Sequence, residues 1–366
     1  MRKSYLFLLL FSIAFFSCQN GMDKVREDFL PIARGDADEI ILVIDSAIYE
    51  GPVGDQLKLM YRQLIVGLPQ DEYKFTVRKV SPSRINSFLK NAANMIFVMT
   101  LNSGTIESKA MRAYFSDNSL KMIQKDSSLY MTMQKDEFAK GQAVLYLFGQ
   151  NEQQLAENLK LNEKKLVGIF EARIQKMTRD KVLVKTQRGL MKAIQEDHNY
   201  SIDVPFGYDL SKNVQNFVWL RKLEAQSEYN VFIYEVPFID NKVFEDIGKL
   251  RDEITQTYLR DSQKPELFID RQDIIPVLTE SVNFNGKYAV KGVGLWMVSN
   301  KSAGGPFRSY TFVDEPNQIL YYIEGYIYSP GTKKKKPLRE VEAILSTFMT
   351  PTEVANATAK ETTNSK

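Results

Sequence analysis

Cysteine and histidine each occur once in this chain of 366 residues, as Cys18 and His198. One thiol cannot form an internal disulfide, so stability must come from a hydrophobic core. The pair cannot build a zinc site from Cys and His ligands, and the folded body holds no cysteine nucleophile. A lone imidazole is the only histidine base on offer, and no Gly-x-Ser-x-Gly elbow supplies a serine for it. A Walker-type phosphate loop is also missing, so neither a cofactor nor a metal is expected. Charge of one sign is lacking too. There are 48 basic and 45 acidic residues, and Arg2 and Lys3 lie in an amino-terminal segment with the features of a removed signal peptide. That leaves 46 against 45, a net charge of +1, and no electrostatic case for a nucleic-acid partner.

What is present begins at the amino terminus. Arg2 and Lys3 precede an apolar run, Tyr5 to Phe16, which ends at the small Ser17 before Cys18. The run is short for a membrane-spanning helix and has the charge and exit site of a signal peptide over residues 1–17. The segment Ile13-Ala14-Phe15-Phe16-Ser17-Cys18 resembles a bacterial lipoprotein lipobox, with Phe15 and Phe16 bulkier than the commonest pattern. That resemblance implies acylation of Cys18 and a membrane partner reached through its lipid, because several acyl chains anchor stably where one is marginal. Aspartate is absent from the position after Cys18, which points to the outer membrane, facing the periplasm. Residues 18–36 are polar and contain Pro31 and Gly35, and read as a tether.

The body reads as α+β in two units, over residues 37–180 and 181–350. In the first, Glu39–Asp45, Tyr73–Val80, Asn94–Leu101 and Gln142–Phe148 read as strands, with Leu129–Met133 at an edge. Helices are expected from Asp55, from Ser81-Pro82 to Asn91, over about 107–124, and as one long segment over about 151–177. In the second unit, a helix over 182–198 leads to an alternating segment at Tyr200–Pro205. A helix with Leu250 and Ile254 on one face follows, and then a meander over 277–328. Its turns are Asn285-Gly286, Ser302–Pro306 and Glu315–Asn317. A last helix through Leu338 and Leu345 makes this an antiparallel sheet covered by helices. Residues 351–366 are small and polar and read as a disordered tail.

Several segments of the second half occur together: Ile202-Asp203-Val204-Pro205-Phe206-Gly207-Tyr208, Asn216 to Lys222, Val231 to Tyr234, Leu250-Arg251-Asp252, Gly294-Leu295-Trp296, Gly304-Gly305-Pro306-Phe307 and Gly325 to Pro330. With the lipoprotein start, they resemble an uncharacterised lipoprotein family of Bacteroidetes, the domain-of-unknown-function family 4837, over nearly the whole mature chain. The resemblance implies location and organism group, and assigns no activity and no catalytic residue. More loosely, the order of elements is similar to the PsbP-like fold, a topological likeness with little weight for function.

Candidate sites each have a bland alternative. His198 follows Glu196-Asp197, and is expected as a solvated histidine at a helix C-terminus. The cluster Gly304-Gly305-Pro306-Phe307-Arg308 either turns a hairpin or presents backbone N–H groups and Arg308 to an anion. Arg251 either pairs with a carboxylate from the sheet or binds a ligand carboxylate. Asp252, Glu253, Asp270 and Asp273 offer carboxylates for acid–base work, without the spacing of a calcium loop. Tyr322, Glu324, Tyr326 and Tyr328 share one strand face, which either forms a sugar- or peptide-binding platform or lies beneath a helix. Lys333 to Lys336 reads as a solvated loop, with contact to anionic lipid as its alternative. The candidate ligand-binding set is therefore Gly304, Gly305, Phe307, Arg308, Arg251, Tyr322 and Tyr326. The leading expectation is a non-enzymatic envelope lipoprotein that binds a protein partner or an envelope ligand, its candidate partners beyond the membrane being an envelope protein or a glycan. The runner-up is a carboxylate-dependent hydrolase of glycan or peptidoglycan.

Overall fold

The structure is a computed structural model that describes residues 29–272 and 275–364. Residues 1–28, with the signal-peptide segment and Cys18, lie outside the described residues, as does Asp273. The chain forms two compact units. The first runs to Gln63 and resumes over Tyr73–Ile174; the second comprises Leu64–Glu72 and the chain from Gln175 onward.

In the first unit, β1 (Glu39–Val43), α1 (Pro52–Tyr61), β2 (Thr76–Val80), β3 (Asn94–Thr100), α2 (Ile106–Arg112), α3 (Asp117–Lys125), β4 (Met131–Lys135), β5 (Ala143–Gly149) and α4 (Glu152–Leu161) follow in order. The helix α5 (Glu163–Val182) carries the chain past the unit boundary at Ile174. The sheet order is β2-β1-β3-β5-β4. All pairings are parallel except that of the edge strand β4 with β5. β3 and β5 are buried at every position because apolar clusters cover both faces of the sheet.

Local chemistry accounts for where the observed helices differ from the expected ones. Pro52 opens α1 three residues before Asp55, as its fixed φ allows at a first helical position. Ser81-Pro82 starts only a 3-10 turn, Pro82–Arg84, because the Ser81 hydroxyl donates to Glu107 instead of capping. The helix expected over 107–124 divides into α2 and α3 where the Ser116 hydroxyl caps a new start at the Ser119 N–H. The long helix divides into α4 and α5 at Asn162. The tether reading fails at its described end: Ile32 bridges Lys140 and Arg34 bridges Ala92.

The second unit contains α6 (Arg188–His198), β6 (Asp209–Val214), β7 (Phe217–Leu223), β8 (Glu228–Pro237), α7 (Ile247–Tyr258), β9 (Ile269–Arg271), β10 (Leu278–Phe284), β11 (Lys287–Val298), β12 (Gly304–Asp314), β13 (Ile319–Tyr328), α8 (Lys335–Leu345) and α9 (Pro351–Asn364). The sheet order is β10-β11-β12-β13-β8-β7-β6, with β9 also on β11. Every pairing is antiparallel. This is the expected antiparallel sheet covered by helices, and the chain as a whole is α+β. One face packs a cluster that includes Leu338, Val341 and Leu345 of α8. The other packs Ile247 and Ile254 of α7.

Two segments of this unit depart from expectation. Tyr200–Pro205 is not a sheet strand; it is held by isolated bridges, Ser201 to Met349 and Thr186 to Pro205. The tail expected to be disordered is helical over 351–364 because Thr350 and Glu353 form a reciprocal capping box. The Thr350 N–H donates to Glu353 Oε2 at 2.9 Å and the Glu353 N–H to Thr350 Oγ1 at 3.4 Å, with Pro351 between them.

Candidate functional site

α7 presents Arg251 to the middle of β13. Arg251 is fully buried, and its Nε and Nη2 donate to both oxygens of Glu324 at 2.8–3.2 Å. The Tyr322 hydroxyl donates to Glu324 at 2.6 Å, and the guanidinium lies 4.2 Å from the Phe307 ring centroid. Burial is the largest influence on the Arg251 pKa and would lower it, but the charge and hydrogen bonds of Glu324, with Tyr322 and Asp252, together outweigh burial and the pKa is raised. Tyr326 is also buried here, in van der Waals company with Phe232 and Trp296. The tyrosine face of β13 therefore lies beneath a helix, and Arg251, Phe307, Tyr322 and Tyr326 form one internal cluster with no surface for a ligand.

The glycine cluster is not a turn. Gly304 and Gly305 begin β12, opposite Met297 and Trp296, and neither has positive φ. A Cβ at Gly305 would overlap the Ile327 carbonyl oxygen, so close strand approach explains that glycine. Arg308 points away from the Arg251 cluster and is buried, donating to the carbonyls of Phe307 and Val66 at 2.9 and 2.5 Å. It therefore has no anion to receive at the surface.

Two charged features are more buried than expected. His198 is not solvated. Its ring lies between Glu235 and Asn213, each 2.7 Å from a ring nitrogen, and stacks on Tyr200. Burial lowers its pKa, but the hydrogen bonds to Glu235 and Asn213 and the charges of Glu235 and Asp197 outweigh burial and raise it. The lysine run is the start of α8. Lys334 is buried, and the Glu72 carboxylate accepts from the N–H groups of Lys334 and Lys335 at 2.6 and 3.2 Å. A carboxylate at the positive end of the helix dipole is the favoured arrangement.

In the first unit, β2 and β3 lie on opposite sides of β1, so the sheet changes its direction of growth there. Open parallel sheets bind ligands outside the carboxyl ends of such strands. Here that position is filled by the chain itself. Asp45 accepts from the Ser108 hydroxyl at 2.6 Å, the Ala47 N–H at 2.8 Å and the Thr105 hydroxyl. Glu107 accepts from the Ser46 N–H at 2.6 Å and the Ser81 hydroxyl at 2.5 Å. A cleft of about 810 Å³ elsewhere in this unit follows the edge strand β4. Its floor is the core aromatics Tyr146 and Phe148, and the Tyr146 hydroxyl is already given to Glu137 at 2.8 Å.

The second unit has a cleft of about 920 Å³ where strand ends and turns converge. Phe238, Phe244 and Tyr288 supply aromatic rings, and Tyr288 is 64% exposed. Phe244 and Tyr288 meet edge to face at 6.4 Å. Asn241, Glu315 and Gln318 are exposed on its lining. The deeper carboxylates are already engaged. Asp314 accepts from Thr352 Oγ1 at 3.0 Å and Asn317 Nδ2 at 2.8 Å, and Glu353 pairs with Lys287 at 2.5 Å. An open cleft with apolar rings and a few convergent polar groups is the expected form of a small-molecule site. Among the described residues no group of three His, Cys, Asp or Glu side chains is placed to hold a metal ion.

None of these cleft residues belongs to the set singled out from sequence. The signals available were the turns themselves: Asn285-Gly286, with positive φ at both residues, sets Lys287 and Tyr288 at the rim, and Glu315–Asn317 sets Gln318. No residue pattern shows that these turns meet the β8 exit and the start of α9.

Residues 187–347 match a family described as Domain of unknown function (DUF4837), and residues 33–182 match a second, Domain of unknown function (DUF8532). The first match is confined to the second half, so the resemblance does not run over nearly the whole chain. No curated protein sequence matches. Among solved structures, a mutant of the protein Mog1 is 10% identical, with 41% of this chain and 89% of that chain covered and a TM-score of 0.27. The Saccharomyces cerevisiae Ran-binding protein Mog1p is 8% identical over 42% and 90% of the two chains, with a TM-score of 0.29. A Bacteroides thetaiotaomicron VPI-5482 protein is 8% identical over 41% and 44%, with a TM-score of 0.26.

Proposed function

Since residues 187–347 belong to the DUF4837 family, which is defined without an activity, we propose a function from the chain's own chemistry: it is a lipid-anchored cell-envelope protein of Bacteroidetes that binds an envelope ligand. The observation that carries the binding half is the strand-end cleft of the second unit, where exposed rings and amides surround carboxylates already held by Thr352, Asn317 and Lys287. Such a lining recognises without offering a free acid–base pair. The lipobox-like segment ending at Cys18 supports the anchor, in the outer membrane facing the periplasm. No helix among the described residues is long and apolar enough to cross a membrane.

Two measurements test this reading. Radiolabelled palmitate is expected in the wild-type protein and absent from Cys18→Ala; label retained in that variant, or missing from the wild type, removes the anchor. A photocrosslinker at position 241, on the cleft lining, is expected to give a discrete adduct in intact envelopes. The same group at position 59, exposed in the first unit, is expected to give none.

Asp252 supports a second reading, a carboxylate-dependent hydrolase of envelope glycan. Burial, opposed by Arg271 2.9 Å away, pushes its pKa up to about 6, into the range of a general acid. Hydrolysis of purified peptidoglycan by the wild type, lost in Asp252→Asn, would establish it; no hydrolysis by the wild type ends it.

A further inference from the structure

The strand-end cleft has a lining selective enough to name a ligand class, and the argument rests on the reading of that cleft as the binding site. Three carboxylates line it, which disfavours an anion. Charge alone would suit an organic cation, but the carboxylates are not equally available. Asp314 is nearly inaccessible, with Thr352 and Asn317 on its oxygens. Glu353 holds Lys287 with one oxygen and the Thr350 N–H with the other. Only Glu315 is exposed. A cation entering the cleft would meet one free carboxylate with Lys287 in the same lining.

The remaining accessible groups are of another kind. Asn241 carries a planar amide with donors and an acceptor, Gln318 gives its Nε2 to the Glu315 carbonyl at 2.6 Å and keeps its Oε1 as an acceptor, and Glu315 has a planar acceptor pair. Vicinal hydroxyl groups match such planar pairs. The same lining carries the rings of Tyr288, Phe244 and Phe238. An exposed ring such as Tyr288 at a wet rim gives apolar area to the C–H face of a pyranose and leaves the sugar's hydroxyls to the amides. An acyl chain would need a dry, continuous apolar channel, which a lining with this many exposed polar side chains does not provide. The volume of about 920 Å³ leaves room for a short oligomer.

We infer that the cleft formed by Phe238, Phe244, Tyr288, Asn241 and Gln318 binds a neutral oligosaccharide, with Tyr288 as its stacking platform.

The test is calorimetric titration of the intact delipidated protein with neutral oligomers of β-linked glucose, mannose and N-acetylglucosamine, and with a lysine-rich peptide as the cationic arm. At least one oligosaccharide series is expected to bind, with affinity that rises with chain length and is the same at low and high salt, because no charge is matched. Tyr288→Ala is expected to weaken it roughly tenfold, the loss of one ring contact, and Asn241→Ala to weaken it less. Tyr288 and Asn241 are exposed, and an unchanged melting temperature will show that both variants fold. Failure of every oligosaccharide to bind overturns the inference, as does sugar binding that Tyr288→Ala leaves intact. If the peptide binds instead, with the same Tyr288 dependence and a strong salt dependence, the cleft remains a ligand site and only the saccharide class is lost. A positive palmitate result with no ligand for the cleft would separate the anchor from both.

Discussion

The two units place their buried polar groups differently, and the difference follows from their sheets. In the first, β3 and β5 are parallel strands covered on both faces, and their buried stretches are almost wholly apolar. Polar side chains gather past the strand ends, where Asp45 and Glu107 are held by Ser108, Thr105, Ala47, Ser46 and Ser81. In the second, Glu324 sits in mid-strand on β13 with Tyr322 beside it, and α7 delivers Arg251 to it across the sheet face. A network at strand ends can borrow backbone N–H groups; one in mid-sheet cannot, because the ladder has used them. The mid-sheet carboxylate therefore depends on side chains alone, one long cation and the Tyr322 hydroxyl, whereas the strand-end carboxylates divide the task among several weak donors that include backbone N–H groups.

Breaking each network should reveal that asymmetry. The largest effect is expected from Glu324→Ala, which leaves the Arg251 guanidinium buried without its partner. Removing one member of a buried pair costs about 3–5 kcal/mol, enough to threaten a fold whose total stability is about 5–15 kcal/mol. Both tryptophans, Trp219 and Trp296, lie in the second unit, so urea titration by tryptophan fluorescence reads it directly. The double variant Arg251→Met with Glu324→Leu is expected to recover most of the loss, since an apolar pair of similar volume has no charge to desolvate. If the single variant is nearly neutral, the pair is not what organises this face.

Asp45→Ala should do less, about 1–3 kcal/mol for unsatisfied hydroxyls and a lost cap. Hydrogen exchange of β1, β3 and the start of α2 is the measurement. Burial raises the Asp45 pKa, but the hydrogen bonds of Ser108, Thr105 and the backbone outweigh it, so the folded value lies below 3.8. A lowered carboxyl pKa gives stability that is present above the unfolded value and lost as pH falls through the folded one. Protection in β1 and β3 should therefore fall below about pH 4 in the wild type, and less steeply in Asp45→Ala.

The same contrast sets what could be read from the sequence. Apolar runs such as Met95–Met99 and Val144–Phe148 announce buried parallel strands, and the Asn285-Gly286 turn announces a hairpin, so both sheets were legible. Single-residue breaks were not: Asn162 and Ser116 divide helices whose apolar stripes continue on either side. The tail looked disordered by composition, but a four-residue capping box outweighed composition. Arg251 was readable as half of a pair, whereas Glu324, set among Tyr322, Ile323, Gly325 and Tyr326, resembles a solvent-facing residue until α7 is known to cover it. The cleft was illegible for a geometric reason. Phe238, Tyr288, Gln318 and Thr352 lie about 30 to 50 residues apart along the chain, and only register and turn closure bring them to one rim.

The smallest effect concerns His198, where the second unit does use several donors and acceptors around one charge. Asn213 Nδ2 donates to Asp197 at 2.6 Å, which turns its Oδ1 toward the imidazole, and Glu235 faces the other ring nitrogen. Both ring nitrogens thus face oxygens, and only the doubly protonated ring satisfies both. The neutral ring must leave one hydrogen bond unmade, a cost of about 1 kcal/mol. Because the folded pKa is raised above 6.5, this contribution is fully present below pH 6.5 and lost as pH rises through the folded value. The urea midpoint of the second unit should fall between mildly acidic and mildly alkaline pH. In His198→Gln the midpoint should be lower at acidic pH and nearly flat across that window. Asp252, also lifted, titrates near pH 6 and loses its own contribution between 3.8 and that value, so its window closes before that of His198 opens. A midpoint that is flat above pH 6.5 in the wild type would mean that the imidazole is already neutral in the folded protein, and that the Glu235–His198–Asn213 arrangement is only a packed hydrogen-bonded ring.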